Sequence, residues 1–276
     1  MRSCGPGVVT VMGLTRTDGP LSPRAPRTVN YAIDGPAHKL FLHPFPRRVR
    51  AEFAGRTVLD TTRGVLLHET ALLPRLYVPE DDLDRDAFVG SEHTTHCPFK
   101  GDAGYQTLQV GDRTVENALW SYPSPVAAAQ WLLGYASLYW DAADAWFDED
   151  EQVYAHLVDP YTRVDVRPTS RHVQVLAGDT LVAESHAPLR LDETGLPTRW
   201  YLSPDDVAVP LERSATIMRC PYKGRSHYWN LRLPDGREIA DAGWGYTDPL
   251  PESARIGGRV SFLHDDLRTL VAGAEI

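Results

Sequence analysis

The chain has 276 residues, room for one large domain or two ordinary ones, and its 42% hydrophobic and 24% charged residues are the balance of a globular protein. A net charge of −9 argues against a nucleic-acid groove or an anionic membrane surface as the main partner, and no apolar run approaches the ~20 residues of a membrane-spanning helix. The three cysteines, Cys4, Cys97 and Cys220, form neither a C-x-x-C pair nor a disulfide framework, which suits a reducing cytoplasm.

Residues 1–33 contain "TRTDGPLSPRAPRT", rich in proline and arginine, and read as a poorly ordered leader with no signal-peptide cleavage site. "RVRAEFAGRTVLDT" alternates Val49, Ala51 and Phe53 with Arg50 and Glu52, which predicts a hairpin turning at Ala54-Gly55. "HETALLPRLYVPEDDL" sets Glu69 ahead of a strand headed by Arg75 and Tyr77. "YQTLQVGDRTVENALW" predicts a second hairpin around Gly111-Asp112, "SPVAAAQWLLG" a short helix and "ASLYW" a closing strand. Six acids and no base between Asp141 and Glu151 mark residues 142–157 as a solvated linker.

Beyond that segment the pattern returns. "RHVQVLAGDTLVAES" predicts a hairpin at Gly178-Asp179 and "YWNLRLPDGREIADAGW" another at Asp235-Gly236, followed by a weaker helical stretch, "LPESARIGG", and a closing strand, "VSFLH". "FAGRTVLDT" matches "LAGDTLVAE" at an offset of 123, "RLYVPEDDL" matches "RWYLSPDDV" at 124, and "CPFKG" matches "CPYKG" at 123. Such a constant offset signals a duplication, one copy over 34–141 and the other in a second domain over 158–276. The expected fold is mainly β, with two tandem domains of antiparallel sheets and few short helices.

The two copies can be compared with each other. Paired apolar positions follow from packing, whereas paired polar positions need a reason if buried. Such pairs are Glu69/Glu193, Arg75/Arg199, Tyr77/Tyr201, Cys97/Cys220, Lys100/Lys223, Tyr105/Tyr228 and Tyr122/Tyr246. Trp120/Trp244 join them, and Asn117/Asp241 match in shape but not in charge. Glu69 and Arg75 suit either an ion pair between adjacent strands or a ligand-facing pair. In Cys-Pro-aromatic-Lys-Gly, proline fixes φ and glycine permits positive φ, so the five residues form a defined turn. Lysine three residues after cysteine can lower the thiol pKa, the requirement for a nucleophile, although buried structural cysteine is the commoner state. A histidine neighbour exists only in the first copy, as His93 and His96.

No phosphate-binding glycine loop, dinucleotide fingerprint, H-E-x-x-H or G-x-S-x-G occurs, and "HTTH" lacks ligand spacing, so neither metal nor cofactor is expected.

The run "THCPFKGDAGY…GDRTVENALWSYPSP…GYASLYWD" resembles the family catalogued as "domain of unknown function 427", in its tandem form, across residues 34–265. The resemblance implies β-tent-like domains, in which small antiparallel sheets meet at an angle and leave a pocket. Some β-tent relatives hold zinc through paired Cys-x-x-C knuckles; this chain has one Cys where a knuckle needs two, so zinc is not carried over. Relatives with an aromatic cage make Trp120, Tyr122, Trp244 and Tyr246 candidate cage residues. The nucleotidyltransferase label sometimes attached to the family finds no support in these residues.

Two functions remain open on this reading. One is an enzyme acting on a small polar metabolite, with Cys97, Lys100 and Glu69 as its reactive group and partners. The other is a non-catalytic module binding a small molecule or another protein. In either, Arg75, Tyr77, Tyr105, Asn117, Trp120 and Tyr122 would contact the ligand in the first copy. Glu193, Arg199, Tyr201, Cys220, Lys223, Tyr228, Asp241, Trp244 and Tyr246 would do so in the second.

Overall fold

The computed structural model describes residues 35–276 together with Thr28 and Asn30, so the expected leader and Cys4 lie almost wholly outside the described residues. The described chain is built of short antiparallel strands joined by turns and 3₁₀ segments, and it divides after Asp159 into two compact units. No helix among the described residues is long and apolar enough to cross a membrane.

The first unit contains β1 (Leu40–Phe45), β2 (Val49–Phe53), β3 (Arg56–Thr61), β4 (Gly64–Glu69), β5 (Arg75–Pro79) and β6 (Phe88–Cys97). It continues with β7 (Gly101–Val110), β8 (Arg113–Ser121), β9 (Tyr135–Leu138), β10 (Ala145–Asp148) and β11 (Glu151–Val153). Seven strands pair in the order β1-β4-β5-β9-β8-β7-β6, and a four-stranded sheet runs β11-β10-β2-β3. The β2–β3 hairpin forms as its alternation requires. Val49, Ala51 and Phe53 are buried, and Ala54 (φ 49°) and Gly55 (φ 75°) both take the left-handed conformation of a two-residue hairpin turn.

The second unit contains β12 (Val164–Pro168), β13 (Val173–Ala177), β14 (Thr180–Ser185), β15 (Leu189–Glu193), β16 (Arg199–Tyr201) and β17 (Leu211–Cys220). Then come β18 (Gly224–Arg232), β19 (Glu238–Pro249), β20 (Val260–Phe262), β21 (Arg268–Val271) and β22 (Ala274–Glu275). Its four-stranded sheet, β14-β13-β21-β22, repeats that of the first unit. The larger sheet is interrupted into β12-β15-β16 and β17-β18-β19-β20, bridged by Leu202 and Val260 through backbone hydrogen bonds of 2.8 and 3.0 Å. Pairing of Phe53 with Arg56 and of Ala177 with Thr180 makes the offset 124 in this hairpin as well. The match at 123, anchored on the glycines, was one residue out because Gly55 and Gly178 occupy different positions of their turns.

Two expectations need correction. Residues 145–153 are not a solvated linker: β10 pairs with β2, and Trp146 is buried in the first unit's core, stacked on Trp140 at 4.6 Å. The acids around it answer arginines contributed by the first copy. Asp148 pairs with Arg47 at 2.8 Å, and Asp144 with Arg113 at 2.6 and 2.7 Å. The "SPVAAAQWLLG" stretch is not an α-helix but a 3₁₀ segment, Ala127–Leu132, broken at Ala129 (φ −125°). So short a stretch cannot repay helix nucleation, and Val126 N–H is already committed to Lys100 O at 3.1 Å. What the segment does is seat Ala129 and Leu132 in the core.

Each unit has two cores. In the first, Phe53, Leu59, Leu66, Leu108 and Trp146 fill the space between the two sheets. Val65, Leu67, Tyr77, Trp120, Tyr122 and Leu132 form a second cluster on the other face of the larger sheet. Strand β4 serves both clusters and is buried along its whole length, which brings Glu69 at its end out of solvent. Its neighbour His68 is fully buried, 3.9 Å from Asp159, and burial lowers its pKa to about 4.

Because the folded-state pKa lies below the unfolded value near 6.5, the unfolded chain takes up the proton first. Stability is therefore full above pH ~6.5 and falls as pH drops toward 4. Between pH 7 and 4.5 the wild-type protein should lose about 2–3 kcal/mol more than His68→Gln in denaturant titrations. Parallel pH profiles for the two proteins would refute this.

Candidate functional site

The Cys-Pro-aromatic-Lys-Gly sequence is the turn joining β6 to β7 and, in the second unit, β17 to β18. Lys100 N–H donates to Cys97 O at 3.2 Å and Lys223 N–H to Cys220 O at 3.3 Å, closing a four-residue turn with proline at its second position. Gly101 (φ 107°) and Gly224 (φ 95°) follow it and pair back to the cysteines. A Cβ at Gly101 would lie 3.1 Å from Ser124 O, so glycine is required both by φ and by the approach of the next segment.

The turn aims the lysine inward. Lys100 Nζ is bonded to Glu69 Oε2, with both side chains 9% exposed, and Lys223 Nζ is bonded to Glu193 Oε2 in the same way. In the larger sheet four strand spacings separate β4 from β7, a distance of about 19 Å if the sheet were flat. Lysine and glutamate side chains cannot span that, so the first pair requires its sheet to curl until the turn meets the end of β4. In the second unit the pair joins the turn before β18 to the end of β15 in the other sheet.

Around the first pair, Trp120 Nε1 donates to Tyr77 Oη at 3.0 Å, with the rings edge to face at 6.1 Å. Lys100 Nζ lies 6.0 Å from the centre of the Tyr122 ring, and Cys97 packs against the same cluster. Burial pushes the Tyr77 and Tyr122 hydroxyls far above the ordinary tyrosine range, so both stay protonated. The second unit repeats the arrangement: the Tyr201 and Trp244 rings meet edge to face at 6.4 Å, and burial raises Tyr201 and Tyr246 in the same direction.

The copies differ at one oxygen. In the first unit His38 Nε2 bonds Glu69 Oε1 at 2.9 Å while its ring stacks on Phe99 at 3.8 Å. Thr162 holds the corresponding position, since Lys39 and Arg163 make equivalent bonds to Thr70 and Thr194. Glu193 Oε1 is buried without a hydrogen-bond partner among the described residues.

The structure thus brings together Glu69, Tyr77, Cys97, Lys100, Trp120 and Tyr122, and likewise Glu193, Tyr201, Cys220, Lys223, Trp244 and Tyr246. Tyr105 also packs against the first cluster, and the Arg199 guanidinium lies 5.9 Å from the centre of the Trp244 ring; the remaining expected site residues are placed differently. Arg75 is exposed and forms no ion pair with Glu69, whose cation is Lys100. Asn117 (φ 54°) and Asp241 (φ 51°) share a left-handed backbone at bulges of β8 and β19, which explains their kinship in shape. Asp241 accepts from Thr216 Oγ1 at 2.7 Å. Tyr105 bonds Thr95 at 3.0 Å, and Tyr228 approaches Met218 Sδ at 3.2 Å. The anticipated base for Cys97 is engaged elsewhere: His96 bonds exposed Asp102 at 2.6 Å, and His93 packs on Tyr105. Adjacent residues of a strand face opposite ways, so His96 cannot share the side of Cys97.

The second unit also carries a groove of about 430 Å³, lined by Arg171, Arg190, Thr198, Arg199, Trp200 and Phe262, among others. Arg190 is committed to Asp192 through bonds of 2.7 and 2.9 Å. Arg199 has no ion-pair partner among the described residues; burial lowers its pKa, opposed by nearby Tyr201 and Glu193. Trp200 Nε1 is buried without an acceptor among the described residues. Comparison of the two copies missed His38 and Trp200, because each is present in one copy only.

The chain belongs to the family described as "Domain of unknown function (DUF427)", whose profile matches twice, over residues 41–149 and 165–273. Both matches extend through β10 and β21, in agreement with the strand pairing. No curated protein matches the chain.

A buried pair broken on one side leaves an uncompensated charge, whereas replacement of both partners by apolar groups does not. Lys100→Met should therefore destabilise the first unit by about 3–5 kcal/mol, and adding Glu69→Leu should restore most of the loss. Additive single and double effects in a denaturant cycle would show that the pair does not act as a unit.

Proposed function

We propose that the protein is a ligand-binding module, not an enzyme, and that the second unit takes a small organic anion with a flat apolar body. The reading rests on the groove whose lining includes Arg199, without a carboxylate partner among the described residues, together with Trp200 and Phe262; the Arg199 guanidinium lies 5.9 Å from the centre of the Trp244 ring. A guanidinium presents two parallel donors that suit a carboxylate or phosphate, and its partial burial strengthens such a bond. Arg171 adds a second positive charge, and the aromatic wall accommodates the apolar part of the ligand.

The repeated motif supports the same reading by elimination. An amine nucleophile must be free to reach its substrate, yet Lys100 and Lys223 are each bonded to a buried carboxylate, Glu69 and Glu193. A cysteine nucleophile needs a base, and the histidines near Cys97 are engaged elsewhere. Copy one offers leucine, Leu76, where copy two has Trp200, so the ligand site belongs to the second unit.

Titrating Trp fluorescence and thermal stability with a panel of aromatic carboxylates, aliphatic carboxylates and phosphates tests the proposal. At least one aromatic anion should bind saturably, and Arg199→Ala should weaken it about tenfold or more. Cys97→Ser and Lys223→Arg should leave the affinity of folded protein unchanged within about threefold. No saturable binding at millimolar concentration, or equal affinity in Arg199→Ala, would overturn it.

A further inference from the structure

We propose that the second unit carries a binding site for a divalent transition metal, formed by His172, Glu184 and His186. Glu184 is on β14, and His172 and His186 flank the β13–β14 hairpin on the same outward face. Gln174 pairs with Glu184 and Val173 with Ser185, so His172 and His186 face each other across the next rung. Outward residues of a strand recur every second position, which puts all three side chains on one face.

One ligand atom from each residue lies within 4.8 Å of the other two. His172 Nε2 bonds Glu184 Oε1 at 2.7 Å, and Gln174 Nε2 donates to the same oxygen at 2.9 Å. Both bonds fall on Oε1, so Oε2 is left for an ion. The imidazoles stack at 4.2 Å and 8°. Two parallel rings cannot both direct a lone pair at one ion, so one must turn about its Cβ–Cγ bond. His186 is exposed and has room to do so. A turn of that kind brings the donors from within 4.8 Å to the ~3–3.5 Å separation implied by metal–ligand bonds of about 2.0–2.2 Å.

The first unit supplies the contrast. Its equivalent positions hold Arg48, Asp60 and Thr62, and Arg48 Nε donates to Asp60 at 2.8 Å. There an ion pair closes the hairpin edge with its own cation. In the second unit both that arginine and the threonine are histidines, and the carboxylate is retained, so three metal-ligating side chains stand where the first unit has its own ion pair. Two imidazoles and one carboxylate, with open positions for water, suit zinc, nickel or copper better than magnesium or calcium. The donors differ from the paired Cys-x-x-C knuckles of zinc-binding β-tent proteins in both chemistry and place.

Isothermal titration of the tag-free, metal-free full chain with zinc chloride tests the site. One equivalent should bind with micromolar affinity, and His172→Ala and His186→Ala should each weaken it about tenfold or more. Replacing both Cys97 and Cys220 by serine should change nothing, and cobalt substituted for zinc should show no sulfur-to-metal charge-transfer band. All three variants change partly exposed side chains, and circular dichroism verifies that they are folded. Absence of saturable zinc binding, affinity untouched by His186→Ala, or loss of binding in the serine variant would each overturn the proposal.

Discussion

Everything in the two units is arranged around a lysine–glutamate bond out of solvent. In the first unit it ties the tip of one hairpin to the end of a strand four positions away in the same sheet, which only a strongly curled sheet allows. In the second it joins the two sheets into which the larger one is interrupted. The curl gives each larger sheet two apolar faces to cover. The four-stranded sheet covers one, and the 3₁₀ segment with its aromatic neighbours covers the other. A buried ion pair adds little net stability over a well-packed apolar substitute, because desolvation offsets most of the attraction. Its value here is geometric: it fixes the hairpin tip against the end of a distant strand.

This assigns the motif residues distinct physical tasks. Proline and glycine shape the turn, lysine reaches inward, and cysteine fills space beside Tyr77 and Tyr122. The tyrosine and tryptophan hydroxyl and N–H groups of the first unit satisfy each other, as buried polar groups must. A brace of this kind accounts for retention in both copies without any catalytic demand.

Individuality lies where the copies part. His38 caps Glu69 in one unit, whereas Glu193 Oε1 has no hydrogen-bond partner among the described residues in the other. Leu76 gives way to Trp200, and the Arg48–Asp60 pair gives way to His172, Glu184 and His186. Each change either removes an internal partner or adds a donor or ligand atom on the second unit. Duplication with divergence of this sort leaves the fold to the shared residues and frees the rest for binding.

The amino-acid sequence by itself determined the duplication, the hairpins and the mainly β fold, because alternation and turn residues act over a few positions. It also marked Glu69, Lys100, Tyr77 and Trp120 as polar or amphipathic residues present twice. Tertiary structure alone decided that Glu69 bonds Lys100 and not Arg75, since that choice depends on sheet curvature set by strands 31 residues apart. It likewise turned the acidic segment into a core strand, because the arginines that neutralise its carboxylates lie about a hundred positions earlier, or on another hairpin. Pairing across such distances has no local signature, and a residue present in one copy only, such as His38, leaves no trace in a comparison of the two.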